Sequence, residues 1–126
     1  MKYLLTFLLA AVFVSGSAAE RKTHVFLVGD STCATKKLDK ENPERGWGHM
    51  FQPFFDGEIV VENHAVNGRS TKSFRDEGRW DKVLDALHDD DYVFIEFGHN
   101  DAKINDSTRY SSPVRYAENL REFIFE

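Results

Sequence analysis

The chain has 126 residues, with 16 Lys and Arg against 21 Asp and Glu, a formal charge of −5, and that length holds one domain at most. A 41% hydrophobic content with eleven Phe is globular composition, neither disordered nor collagenous. The acidic balance argues against nucleic acid and anionic membrane as partners, since both call for a basic patch. A single Cys, Cys33, excludes an intrachain disulfide framework and a multi-Cys zinc site; no cofactor is expected.

Residues 1–19 carry an address. Lys2 supplies a positive start, an apolar run from Leu4 to Val14 is interrupted only by Thr6, and Ser17-Ala18-Ala19 is a small-residue cleavage pattern. These are the parts of a secretory signal peptide, and the run is shorter than the ~20 apolar residues that span a bilayer. The expectation is a secreted or periplasmic protein starting at Glu20, with no stable membrane insertion after cleavage. In that compartment Cys33 has no intrachain partner and reads as a buried, inert thiol, with a partner beyond residue 126 as the alternative.

Beyond the leader, His24-Val25-Phe26-Leu27-Val28 is a short continuous apolar run of the kind that suits a buried parallel strand. Trp47, Met50, Phe51, Phe54 and Phe55 recur with helical spacing, and Pro53 makes that helix short or kinked. Residues 58–63, rich in β-branched side chains, predict a second strand. Trp80, Val83, Leu84 and Leu87 predict a helix over 80–88, and residues 92–97 a third strand ending at Gly98. Ser112-Pro113 then opens a helix with Tyr116, Leu120, Phe123 and Ile124 on one face. Alternation of strands and helices predicts an α/β fold around a parallel sheet. The last helix is still amphipathic at Phe123-Ile124-Phe125-Glu126, without a C-capping Gly, and three parallel strands leave edges open. The chain therefore reads as the N-terminal part of a larger α/β domain whose C-terminal part is missing.

Three polar, Gly-containing loops follow the three strands: Gly29-Asp30-Ser31-Thr32, Asn67-Gly68-Arg69-Ser70 and Gly98-His99-Asn100-Asp101. Open parallel sheets bind ligands outside the carboxyl ends of their strands, so these distant loops can share one site. Together they bring what acyl transfer requires, an accessible nucleophile and donors aimed at a developing oxyanion. Ser31 projects from a strand-to-helix junction. Gly68 has no side chain to block approach to its N–H, and Asn100 offers an amide. Asp30 reads as a turn or capping residue. Taken singly, each loop is ordinary turn chemistry; the combination and its order carry the signal.

In that combination the chain resembles the SGNH (GDSL-like) hydrolases, whose first three signature blocks are similar to Gly29-Asp30-Ser31, to Gly68 and to Gly98-His99-Asn100-Asp101. Within that superfamily it is similar to the rhamnogalacturonan acetylesterase group through Val28 to Thr32, Gly46-Trp47-Gly48, Asn67 to Ser70 with Phe74, and Phe97 to Asp101. The resemblance implies a flavodoxin-like three-layer α/β/α fold and a serine esterase, with Ser31 as nucleophile and the Ser31 N–H, Gly68 and Asn100 as oxyanion hole. The implied substrate is an acetylated pectic polysaccharide or oligosaccharide, deacetylated without a metal, and His99 would line the pocket. Arg69 could meet an acidic sugar, or pair with Asp76 or Glu77. A lipase or lysophospholipase of the same superfamily, and a non-catalytic carbohydrate-binding remnant, stay open.

The family's catalytic Asp-x-x-His block has no counterpart here. Asp85-Ala86-Leu87-His88 matches its spacing, but it precedes the third strand and should lie at the end of the sheet opposite Ser31. None of the five His is assigned as base. The sequence does not speak to oligomeric state.

Overall fold

The apolar stretches become three parallel strands, β1 (Thr23–Gly29), β2 (Ile59–Asn63) and β3 (Tyr92–Glu96), in the order β2-β1-β3. The computed structural model that shows this describes residues 21–39 and 41–126; the leader pattern at 1–19 lies outside the described residues. Because β1 is central, its residues from Val25 to Gly29 are buried, which is why its sequence is continuously apolar rather than alternating.

Alternate side chains of β1 still serve opposite faces. Phe26 and Val28 pack under Phe74, Trp80, Val83 and Phe123, which come from α1 (Thr71–Asp76), α2 (Arg79–Leu84) and α3 (Pro113–Phe125). Trp80 and Phe123 meet edge to face with ring centroids 4.8 Å apart, and the Trp80 indole N–H donates to Glu126 at 2.9 Å. On the opposite face Val25 and Leu27 pack with Cys33, Ala34, Ala65, Trp47 and Phe51. Burial pushes the Cys33 thiol up to about 12, so it is the unreactive core thiol that was expected.

Two helices differ from the periodic reading. The stretch after Gly46 forms two single-turn 3-10 helices, Trp47–Met50 and Gln52–Phe54, because Pro53 has no N–H for a longer ladder. Met50 and Phe54 consequently face outward instead of sharing an apolar stripe. The helix expected over 80–88 ends at Leu84, and α1 precedes it unannounced by periodicity. Gly78, at φ 65°, separates the two. α1 begins with a capping box in which the Ser70 hydroxyl accepts from the Ser73 N–H and the Ser73 hydroxyl from the Ser70 N–H. α3 opens as read, with Ser112 accepting from the Arg115 N–H at 3.2 Å and Pro113 in the first turn.

Gly46 is required by close approach: a Cβ there would stand 2.1 Å from the Ala34 carbonyl oxygen. Its neighbours pin the same contact, the Trp47 N–H donating to the Thr32 carbonyl at 3.0 Å and the Gly48 N–H to the Cys33 carbonyl at 3.1 Å. The segment therefore braces the turn that carries Ser31.

Candidate active site

From β1 the chain runs to β2 on one side and afterwards to β3 on the other. The carboxyl ends of β1 and β3 thus flank a topological switch point, where α/β sheets place their ligands. Ser31, Thr32, Lys36, Asn67, Gly68, His99, Asn100 and Lys103 line one open depression there of about 570 Å3, with Glu44 and Arg45 at its margin. All three loops singled out by sequence meet in it.

Asp30 builds the first loop. Its carbonyl accepts from the N–H of Cys33 at 3.3 Å and of Ala34 at 2.9 Å, and its carboxylate accepts from the Thr32 N–H at 2.8 Å. That Asx turn leaves the Ser31 hydroxyl and the Ser31 N–H without an acceptor or donor partner among the described residues. The Gly68 N–H is equally free. Gly68 sits at φ 77°, a left-handed conformation that glycine adopts without strain.

Asn100 is 1% exposed and differs from these two. Its amide nitrogen donates to Asp30 Oδ2 at 3.2 Å and to the Arg69 carbonyl at 2.9 Å. Its oxygen accepts from Lys103 Nζ at 2.8 Å. One side chain thereby ties the first, second and third loops together. Beneath it, the buried Asp101 carboxylate accepts from the Thr71 N–H and hydroxyl, and Asn119 of α3 donates to the Thr71 oxygen at 2.8 Å. Helices on one face are thus coupled to the loop that presents Asn100.

His99 is exposed at the rim. Arg69 contributes its carbonyl to the site, but its guanidinium turns to a neighbouring groove of about 490 Å3, where it pairs with Glu77 at 3.1 Å. This is the acidic partner the sequence offered as an alternative. The guanidinium packed against Gly68 belongs instead to Arg109, whose Nη1 stands 3.4 Å from where a Gly68 Cβ would be; only folding brings residue 109 to the second loop.

Sequence reasoning also missed Lys36 and Glu96. Lys36, 9% exposed, donates to the Ser31 carbonyl and to Asn67 Oδ1 at 2.9 Å. Glu96, the last residue of β3, has an Oε2 that is buried without a partner. Burial, reinforced by the Asp30 charge, holds its carboxyl above the usual range. A charged residue closing an apolar strand was the available signal for Glu96. Among the described residues Lys36, Arg45 and Lys103 have no carboxylate within 4 Å, and against them Glu44 alone brings a carboxylate to the lining, so the depression carries a positive balance on a chain of charge −5.

No histidine with an acidic partner faces Ser31 among the described residues. His24 and His64 both pair with Glu62, and the two-residue period of a strand is what sets Glu62 beside His64. His24 lies seven residues before Ser31, roughly 20 Å along a strand. The His88 N–H donates to Asp91, which also accepts from the His24 N–H at the start of β1. The Asp-x-x-His spacing at 85–88 is therefore at the far end of the sheet, as its position before β3 required.

The pattern of the GDSL-like Lipase/Acylhydrolase family matches residues 27–125. The chain is 40% identical over 102 residues to the probable rhamnogalacturonan acetylesterase YesY of Bacillus subtilis, covering 80% of this chain and 46% of that protein. It is 40% identical over 91 residues to the rhamnogalacturonan acetylesterase of Emericella nidulans, covering 71% of this chain and 34% of that one. The crystal structure of the Bacillus subtilis protein YxiM superposes with a TM-score of 0.73 at 25% identity, over 82% of this chain and 28% of that chain. The chain thus spans less than half the length of these relatives. Strand order, the three converging loops and the matched pattern agree, and the chain belongs to the GDSL-like lipase/acylhydrolase family.

Proposed function

We propose that this protein is a secreted serine esterase that removes acetyl groups from an acidic, rhamnogalacturonan-type polysaccharide. The observation that carries the reading is the convergence of Ser31, the free N–H groups of Ser31 and Gly68, and Asn100 in one depression. The names of the relatives support acetyl ester as the bond and pectic polymer as the substrate. Arg45 and Lys103, which have no carboxylate within 4 Å among the described residues, support a substrate that carries carboxylates, because such cations attract anionic chains. The leader pattern at 1–19 supports secretion.

In this reading the Ser31 oxygen attacks the acetyl carbonyl, and the carbonyl oxygen becomes an oxyanion held by the N–H groups of Ser31 and Gly68. Asn100 joins them by exchanging its longer bond, the 3.2 Å contact to Asp30, for one to the oxyanion. Collapse of the tetrahedral intermediate releases the sugar hydroxyl and leaves acetyl-Ser31, which water hydrolyses to acetate. The base that takes the Ser31 proton, and its orienting acid, are assigned to residues outside those described. The test is acetate release by the full-length protein and its Ser31→Ala variant on acetylated rhamnogalacturonan fragments and on long-chain esters. Acetate released from the polysaccharide by the wild type alone is the expected result. Preference for long-chain esters would move the reading to a lipase, and activity retained by Ser31→Ala would remove Ser31 from the mechanism.

A further inference from the structure

Lys36 is a cation with 9% exposure and no carboxylate within 4 Å among the described residues. Burying an ammonium is costly unless its protons are hydrogen-bonded. Here two of its three donors go to acceptors on two different loops, the carbonyl of Ser31 itself and Asn67 Oδ1 at 2.9 Å. A salt-bridged lysine would be a stabilising contact of ordinary kind. A buried lysine spent on the nucleophile's own peptide and on the residue preceding Gly68 is placed where only the spacing of those two loops benefits.

We infer that Lys36 is a positioning residue of the esterase site, fixing the Ser31 turn against the Asn67-Gly68 turn so that their two N–H groups converge on one oxyanion. This rests on the esterase reading above. The Ser31 carbonyl and the Ser31 N–H lie on adjacent peptides joined at the Ser31 Cα, so a bond to the carbonyl restrains the turn from which the N–H and hydroxyl project. Asn67 Oδ1 likewise anchors the turn whose next residue is Gly68. The two N–H groups are loaded fully only when negative charge has developed on the carbonyl oxygen. Loosening their spacing should therefore lower kcat while KM changes little.

The experiment uses the full-length protein with a small neutral acetyl ester, so that substrate charge plays no part. Lys36→Met keeps the apolar stem and removes the bridge. The expected result is a variant with a cooperative thermal transition whose kcat is about 10- to 100-fold lower, an effect somewhat below loss of a whole oxyanion donor, with KM within about threefold. Asn67→Ala removes the acceptor on the second loop alone and should lower kcat several-fold. Combined with Lys36→Met it should add almost nothing, since both changes break one bridge. A folded Lys36→Met with kcat within twofold of wild type overturns the inference, as does a loss confined to KM or a loss that adds independently to that of Asn67→Ala. If Lys36→Met does not fold, Asn67→Ala decides: Asn67 is exposed, and wild-type kcat in that variant overturns the inference. A folded wild type that hydrolyses no acetyl ester fails the esterase reading itself, whereas an active wild type beside an unaffected Lys36→Met fails only the role of Lys36.

Discussion

The two ends of the sheet are built on opposite principles. At the amino end Asp91 is satisfied on every side. It accepts two bonds from Arg21 at 2.8 and 2.7 Å, one from the His24 N–H at 2.8 Å and one from the His88 N–H at 3.0 Å. That charge-assisted set holds its carboxyl well below the usual carboxylate range, and the Arg21 fork is bidentate. At the carboxyl end, beside the bonded Asn100 and Asp101, several polar groups are unfinished. Among the described residues the Ser31 and Gly68 N–H groups are free, Glu96 Oε2 has no partner, and Lys36, Arg45 and Lys103 have no carboxylate within 4 Å. Closed polar networks stabilise a fold, while open ones are kept for something that is not part of the chain.

The sharpest way to break this contrast is at Ser31. Ser31→Ala in the full-length protein should lower acetate release by at least about 10³-fold with an unchanged thermal midpoint, because its hydroxyl has no partner to lose. Asn100→Ala belongs to both categories. It should lower kcat by about 10²–10³-fold, and it should also cost about 1–3 kcal/mol of stability, since Asp30, the Arg69 carbonyl and Lys103 each lose a partner. Activity assays and denaturant titration of one preparation separate the two effects.

Asp91→Asn tests the closed end. It should lower stability at neutral pH, chiefly by weakening the bonds from the His24 and His88 N–H groups, by about 1–2 kcal/mol and leave the esterase kcat alone. The folded-state carboxyl is depressed, so its contribution is present above the unfolded value and is lost as pH falls toward the folded one. Melting curves of variant and wild type should therefore draw together below about pH 4. Glu96→Gln should give the smallest effect and the opposite sign. Its carboxyl is raised in the folded chain, so the wild type favours the protonated form and loses stability as pH rises through the raised value. The variant should equal the wild type at low pH and be modestly more stable at pH 7. A wild type more stable than Glu96→Gln at pH 7 would mean that Oε2 has a partner.

The sheet was legible because β1 is a continuous apolar run closed by Gly29-Asp30, and a run this short, stopped by a turn, suits the buried centre of a parallel sheet. α3 was legible from Ser112-Pro113. The segment over 46–55 misled because the spacing of its aromatic residues is helical, while Pro53 and the close approach at Gly46 allow only single turns. α1 carries its signal in the capping box of Ser70 and Ser73 and in the polar contact of Thr71 with Asp101, neither of which periodicity reports. That the loops of Ser31, Gly68 and Asn100 would meet was legible because each stands directly after or close behind a strand. Lys36 and Arg109 were not legible. Lys36 lies in a charged surface-like stretch, and Arg109 reaches Gly68 only through the fold.

The central claim is that the three loops form one site around the Ser31 oxygen. Reacting the purified full-length protein with a fluorophosphonate, then mapping the adduct by peptide mass spectrometry, tests it most directly. The expected result is a single covalent adduct on the Ser31 peptide, formed at a rate that falls when Asn100 is replaced by Ala. An adduct on another serine, or acetate release undiminished in protein whose Ser31 is fully labelled, would contradict it.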